Sequence, residues 1–145
     1  MKAKGGEGRF EVLDHPADVR VRLRGADPAD LLASGAAALA HLLVGDADVP
    51  ARRSVTIDQE VQDLEEGLIV FLNELVYRAS VEGAVLPEVI TAKLAPPVLQ
   101  AEVRGCNVEE AGVHLHTEIK AATYSGLEIE EGEGGVLRAE VIFDV

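Results

Sequence analysis

The stretch LDHPADV, positions 13–19, crowds Asp14, His15 and Asp18 around one tight connection. Far along the chain, VIFDV at positions 141–145 runs three apolar residues into Asp144 and a carboxyl group on Val145. Local turn chemistry accounts for the first stretch by itself, because Asp initiates turns and Pro16 fixes its own φ. The reading changes if the two stretches meet. Asp18, Asp144 and the Val145 carboxylate would then bring several hard oxygen ligands together. Such a cluster repels itself unless a cation or arginines neutralise it. Oxygen donors without thiolate favour Ca²⁺, Mg²⁺ or Mn²⁺ over zinc.

Other residues offer less. HLH at 114–116 would place His114 and His116 on one side of a strand, a spacing that a transition metal can use. Two exposed imidazoles on a polar face are the simpler reading, since a closed zinc site needs more nitrogen or sulfur ligands. Cys106 is the one cysteine, which excludes an internal disulfide and a cysteine-cluster zinc site. It reads as a small packed thiol. No serine sits in a GxSxG elbow, and the glycines of EEGEGG precede no Lys–Ser/Thr pair, so hydrolase and phosphate-loop templates do not apply.

The elements that must position these groups follow from periodicity. RFEVLD (9–14) and DVRVRLRG (18–25) read as strands, the second alternating Val19, Val21 and Leu23 against Asp18, Arg20, Arg22 and Arg24. The arginines are expected to pair with Glu140 and other acids across the sheet face. A first helix spans ADPADLLASGAAALAHLLVGD, with Asp27 as cap, Pro28 at the first position and Gly45 as stop. Leu31, Leu32, Ala36, Leu39, Leu42 and Leu43 form its buried stripe, and His41 lies at its polar edge. RRSVTIDQEV (52–61) is another alternating strand. A second helix runs through DLEEGLIVFLNELVYRASVEG, opened by Asp63 and Glu66 in capping-box spacing. Beyond residue 84 the pattern is strand, including HLHTEIKAATYSGLEIEE, broken at Pro96–Pro97, NVEEAG and GEGG. The predicted class is α+β: two helices packed on a mostly antiparallel or mixed sheet of about seven strands. Residues 1–8 read as a flexible lead-in and 9–145 as a single domain.

The 26 acidic and 13 basic side chains give a formal net charge of −13. That opposes direct grip on a nucleic-acid backbone, which needs clustered cations, and favours cation binding or a basic protein partner. No stretch reads as a signal peptide or as long enough to span a bilayer, so the expected setting is soluble and cytoplasmic.

Three separated blocks also resemble one known family. LDHPADVRVRLRG is similar to the DHTADIG-type opening of archeases, DLEEGLIVFLNELVYRAS resembles their second helix, and TEIKAATYSGLEI with RAEVIFDV resembles their C-terminal signature. The resemblance runs from about Phe10 to Val145. It implies an accessory protein rather than an enzyme: an activator of an RtcB-type RNA ligase in tRNA splicing and RNA repair, promoting ligase guanylylation and turnover. It also implies a metal site formed by Asp18, Asp144 and Val145, holding a divalent cation, with Ca²⁺ first and Mg²⁺ or Mn²⁺ as alternatives. Asp14 and His15 would orient those ligands, and Lys120 and Tyr124 are candidate partner contacts on one side of a long strand. The chain departs from the family pattern at Pro16, where threonine is usual, and at Arg20, where glycine is usual. Gly112–Val113 replaces an Arg–His pair, with His114 one place later, and Ser125 replaces a histidine. Two other functions remain open: a metal-free chaperone or adaptor, and an autonomous metal-dependent hydrolase with His15 as general base.

Overall fold

The computed structural model describes residues 9–13, 18–123 and 128–145. The element order is β1 (Phe10–Leu13), β2 (Asp18–Gly25), α1 (Pro28–Val44), β3 (Arg53–Glu60), α2 (Leu64–Glu82), β4 (Ala84–Ala95), β5 (Val98–Asn107), α3 (Val108–Ala111), β6 (Ala121–Thr123), β7 (Glu130–Glu131) and β8 (Leu137–Asp144). The α+β expectation holds. Among the described residues the strands divide between two sheets. One contains β1-β2-β8-β6, with β7 also on β8, and the other is β3-β5-β4. Every described strand pair is antiparallel.

Both helices begin where their caps predict. The Asp27 side chain accepts from Asp30 N–H at 2.8 Å, with Pro28 at the first helical position. Asp63 accepts from Glu66 N–H at 2.8 Å, while the Glu66 carboxylate reaches back to the Gln62 N–H. These contacts satisfy amides that a helix start leaves without intrahelical partners. α2 ends at Gly83, whose left-handed φ of 68° suits glycine.

The burial of α1 exceeds the predicted stripe. None of its residues is exposed, and Ser34, Gly35, Ala38 and Ala40 are buried besides the leucines. The helix touches β2 in one sheet and β4 in the other, so small residues on several faces admit close neighbours. His41 is accordingly less peripheral than its pattern implies: its ring lies 5.5 Å from that of Phe10, and Nδ1 lies 3.5 Å from Asp46. One contiguous core joins Leu23, Val141 and Phe143 of the larger sheet to Leu31, Leu32, Leu68 and Phe71 of the helices and Leu99 and Val103 of the smaller sheet.

Two sequence expectations change. NVEEAG contains the short helix α3, and residues 112–120 are not strand, so the long strand predicted from His114 onward is reduced to β6 and β7. The His116 N–H donates to the Leu43 carbonyl at 2.7 Å, tying this segment to the end of α1 instead of to a neighbouring strand. His114 and His116 therefore do not share a strand face. The reading of residues 1–8 as a lead-in lies outside the described residues. Among those described, no helix is long and apolar enough to cross a membrane.

β4 carries a bulge where Leu86 and Pro87 together oppose Gly105 of β5, which is buried. A Cβ at position 105 would fall 1.9 Å from the Val85 carbonyl oxygen, a backbone atom with little room to yield. Gly105→Ala should therefore lower unfolding stability by roughly 2 kcal/mol or more in denaturant titration, as overpacking does. A second test concerns Glu82, which joins Arg53 of β3 at 2.7 Å and Arg78 of α2 at 3.2 Å. The Arg53 hydrogen bond, with the charges of both arginines, holds the Glu82 carboxyl below its ordinary range. The unfolded chain then binds the proton more readily, so this contribution is present above the ordinary glutamate value of about 4.3 and is lost as pH falls through the lower folded value. Thermal melts of Glu82→Gln should show a shallower loss of stability on acidification than the parent chain.

Candidate functional site

The site is set by the register between β2 and β8. Asp18 lies directly opposite Asp144, Val19 opposite Phe143, Arg20 opposite Ile142 and Arg22 opposite Glu140. Successive strand residues point to opposite faces. Val21, Leu23, Ala139, Val141 and Phe143 are buried toward the helices, which puts Asp18, Arg20, Arg22, Glu140, Ile142 and Asp144 on the outer face. Directly paired residues have Cβ atoms about 5 Å apart, so the two carboxylates share one small region of the sheet end. On its other flank Asp144 is opposite Ala121 of β6. The Lys120 N–H donates to the Asp144 carbonyl at 2.8 Å, holding the backbone there. Val145 follows immediately and is exposed.

The arginines on this face are bound to the expected acid. Arg20 reaches Glu140 at 2.9 Å, and Arg22 reaches Glu140 at 3.4 Å and Glu11 at 3.1 Å. These are partly exposed pairs, each contributing little stability. Their effect on the site is to draw the Arg20 guanidinium toward Glu140, along the sheet from Asp144. Among the described residues, no group of three or more His, Cys, Asp or Glu side chains is placed to hold a metal ion. The register places Asp18 and Asp144 opposite one another at this end of the sheet, with Val145 next in the chain.

Comparison with known proteins identifies the family. The family model described as the Archease protein family (MTH1598/TM1083) matches residues 10–145. The chain belongs to the archease family. An archease of Methanopyrus kandleri is 29% identical over 94% of this chain and 99% of its own length. One from Methanosarcina barkeri is 27% identical over the whole of both chains. The archease of Danio rerio is 26% identical over 86% of this chain and 79% of its own. The solution structure of Methanobacterium thermoautotrophicum protein 1598 superposes with a TM-score of 0.75 at 22% identity, covering 94% of this chain and 98% of that one. A Thermotoga maritima structure described as an archease and possible chaperone gives 0.63 at 21% identity, covering 93% and 96%. At such identities the two structures establish the fold.

Of the residues singled out in this archease-family sequence, Asp18 and Asp144 are brought together and Val145 adjoins them. Lys120 is exposed and precedes the three-residue β6, rather than lying along a long strand. Asp14, His15 and Tyr124 lie outside the described residues, as do Pro16 and Ser125. The sequence reading passed over Asn73 and Glu65, both on α2. The Asn73 side-chain amide exchanges two hydrogen bonds with the Ala122 backbone, at 2.8 and 3.0 Å, and the Glu65 carboxylate accepts from Ile129 N–H at 3.0 Å. A signal for Asn73 was present: an amide interrupting the apolar run of FLNELV.

Cys106 is 1% exposed, and burial pushes its thiol up from the ordinary range, with Glu110 adding to the effect and Arg52 opposing it. An inert packed thiol is the consequence. Reaction with an aromatic disulfide reagent at pH 8 should be slow in the native chain and should accelerate at least about a hundredfold on denaturation, as expected for a thiol whose access requires opening of the fold.

Proposed function

We propose that this archease-family chain is an accessory protein of an RtcB-type RNA ligase, promoting ligase guanylylation and turnover through a divalent cation held at its acidic tip. The observation that carries the proposal is the direct pairing of Asp18 with Asp144 at the end of the larger sheet. Like charges placed opposite one another on adjacent strands destabilise the pair, and a shared cation removes that cost. The donor chemistry fits: two carboxylates and the Val145 carboxyl oxygens are hard ligands suited to Ca²⁺, Mg²⁺ or Mn²⁺. Asp18, Asp144 and Val145 would hold the ion, which would supply concentrated positive charge and coordination positions open to oxygen ligands of the partner.

The surrounding chain has its own parts in this scheme. Arg20 and Arg22 reach Glu140, further along the same face. Asp14 and His15 are assigned to orienting the ligands, and Lys120 and Tyr124 to contact with the ligase. The net charge of −13 steers the protein toward a partner that is basic because it binds RNA, and disfavours direct binding of RNA by this chain. One observation favours a second reading, a metal-free adaptor or chaperone: Tyr77 and Val81, one helical turn apart on α2, are 51% and 62% exposed.

Asp144→Ala should fold normally, lose Mn²⁺ or Ca²⁺ binding by at least about tenfold in calorimetry, and fail to stimulate guanylylation of the ligase. An extension added after Val145 should weaken ion binding in the same assay. Full stimulation by folded Asp144→Ala would refute the tip mechanism, and stimulation by a chain that binds no divalent ion would favour the adaptor.

A further inference from the structure

We infer that Asn73 is a positioning residue for the acidic tip: from α2 it holds β6, and through β6 it fixes the backbone of Asp144. The inference rests on the proposed role of that tip. The described part of β6 is Ala121–Thr123, and β8 is its described strand neighbour. A strand residue whose N–H and C=O point away from its neighbouring strand needs partners elsewhere for both groups. Asn73 supplies them. Its Oδ1 accepts from the Ala122 N–H at 2.8 Å, and its Nδ2 donates to the Ala122 carbonyl at 3.0 Å. One side-chain amide thus occupies the donor and the acceptor of a single strand residue, as a neighbouring strand would.

The consequence for the tip follows from register. Ala122 is opposite Phe143, and its predecessor Ala121 is opposite Asp144. Lys120, one residue earlier, donates its N–H to the Asp144 carbonyl. A helix side chain is therefore connected to the backbone of Asp144 through three consecutive residues. Glu65, nearer the start of the same helix, accepts from Ile129 N–H, so α2 also holds the chain on the far side of residues 124–127. Ala122 and Phe143 are both buried against the helices, which leaves Asn73 in a partly buried setting where a lost hydrogen bond is not freely replaced by water. The cross-strand carboxylates repel each other, and nothing in that repulsion favours close approach. The clamp from α2 adds a second restraint at the end of β8, beside its pairing with β2.

The test uses the full chain and reads two quantities. Amide hydrogen exchange by NMR reports the clamp without any metal, and Mn²⁺ calorimetry reports the tip. In Asn73→Ala, exchange at Ala122 and Lys120 should accelerate at least tenfold while amides of β3 and β5 keep their parent rates, and Mn²⁺ affinity should fall at least fivefold. Asn73→Asp keeps the acceptor for the Ala122 N–H and loses the donor to its carbonyl. It should protect the Ala122 amide better than Asn73→Ala does, while still weakening Mn²⁺ binding. Parent-like exchange at Lys120 in both variants would overturn the inference, as would uniform acceleration over the whole chain, which marks a merely structural residue. Parent-like Mn²⁺ affinity with faster exchange at Lys120 would overturn it too, because the clamp would then not position the tip. A parent chain that binds no Mn²⁺ would sink the proposed tip function, and the inference with it. Asp144→Ala, expected to lose Mn²⁺ while keeping parent-like exchange at Ala122, separates a failed ligand set from a failed clamp.

Discussion

The antiparallel pairing of β2 with β8 is the constraint on which the proposed functional end of this protein depends. Eight residue pairs run from Gly25 opposite Leu137 to Asp18 opposite Asp144. The pairing is held by what its inner face buries: Val21, Leu23, Val141 and Phe143 are fully enclosed against the helices. A slip of one residue would turn that entire apolar set toward solvent and turn the charged set inward. Hydrophobic burial several residues away thus decides that two carboxylates stand face to face at the sheet end. Their mutual repulsion is small beside the cost of exposing Phe143 and its neighbours.

The rest of the fold serves to make that inner face worth burying. α1 lies in contact with strands of both sheets, and its alanines and glycine allow the close approach that a helix enclosed on several sides requires. α2 packs by Leu68, Phe71, Leu72 and Leu75 and, from a neighbouring face, offers Asn73 and Glu65 to the backbone near β6. Apolar contacts set the position of the helix, and two polar groups use that position to order a stretch of chain with little strand pairing of its own. The same division recurs at Arg53, which ties β3 to α2 through Glu82 and to β5 through Asn107.

Electrostatics on the outer face have a layered arrangement. Moving along the sheet from the tip, Asp18 and Asp144 come first, then Arg20 beside Ile142, then Arg22 beside Glu140 and Glu11. The arginines are engaged with Glu140 and Glu11. Arg20, a departure from the family's usual glycine, is therefore accommodated by an acid further along the face. The acidic excess of the whole chain favours approach of basic over acidic molecules, an effect that salt largely screens beyond about 10 Å.

Much of this was readable from residue order. The alternation in DVRVRLRG, the caps at Asp27 and Asp63, and the apolar stripes of two helices are local patterns, and local patterns reflect the physics of one segment meeting one surface. Asp18, Asp144 and Val145 could be named as candidates from the resemblance of three blocks to archeases. What pattern could not supply was which segments meet. HLHTEIKAATYSGLEIEE has strand-forming residues, yet its first part is bound to the end of α1 and is not strand, because strand formation requires a free neighbouring edge that a sequence does not display. The division into two sheets, the enclosure of α1 on several sides, and the amide of Asn73 serving as a substitute strand all depend on contacts between residues far apart in the chain. Sequence by itself determined the two long helices with their caps, the alternating faces of β2 and the acidic character; tertiary structure alone decided that Asp18 stands across from Asp144, since only strand pairing converts a separation of more than a hundred residues into adjacency.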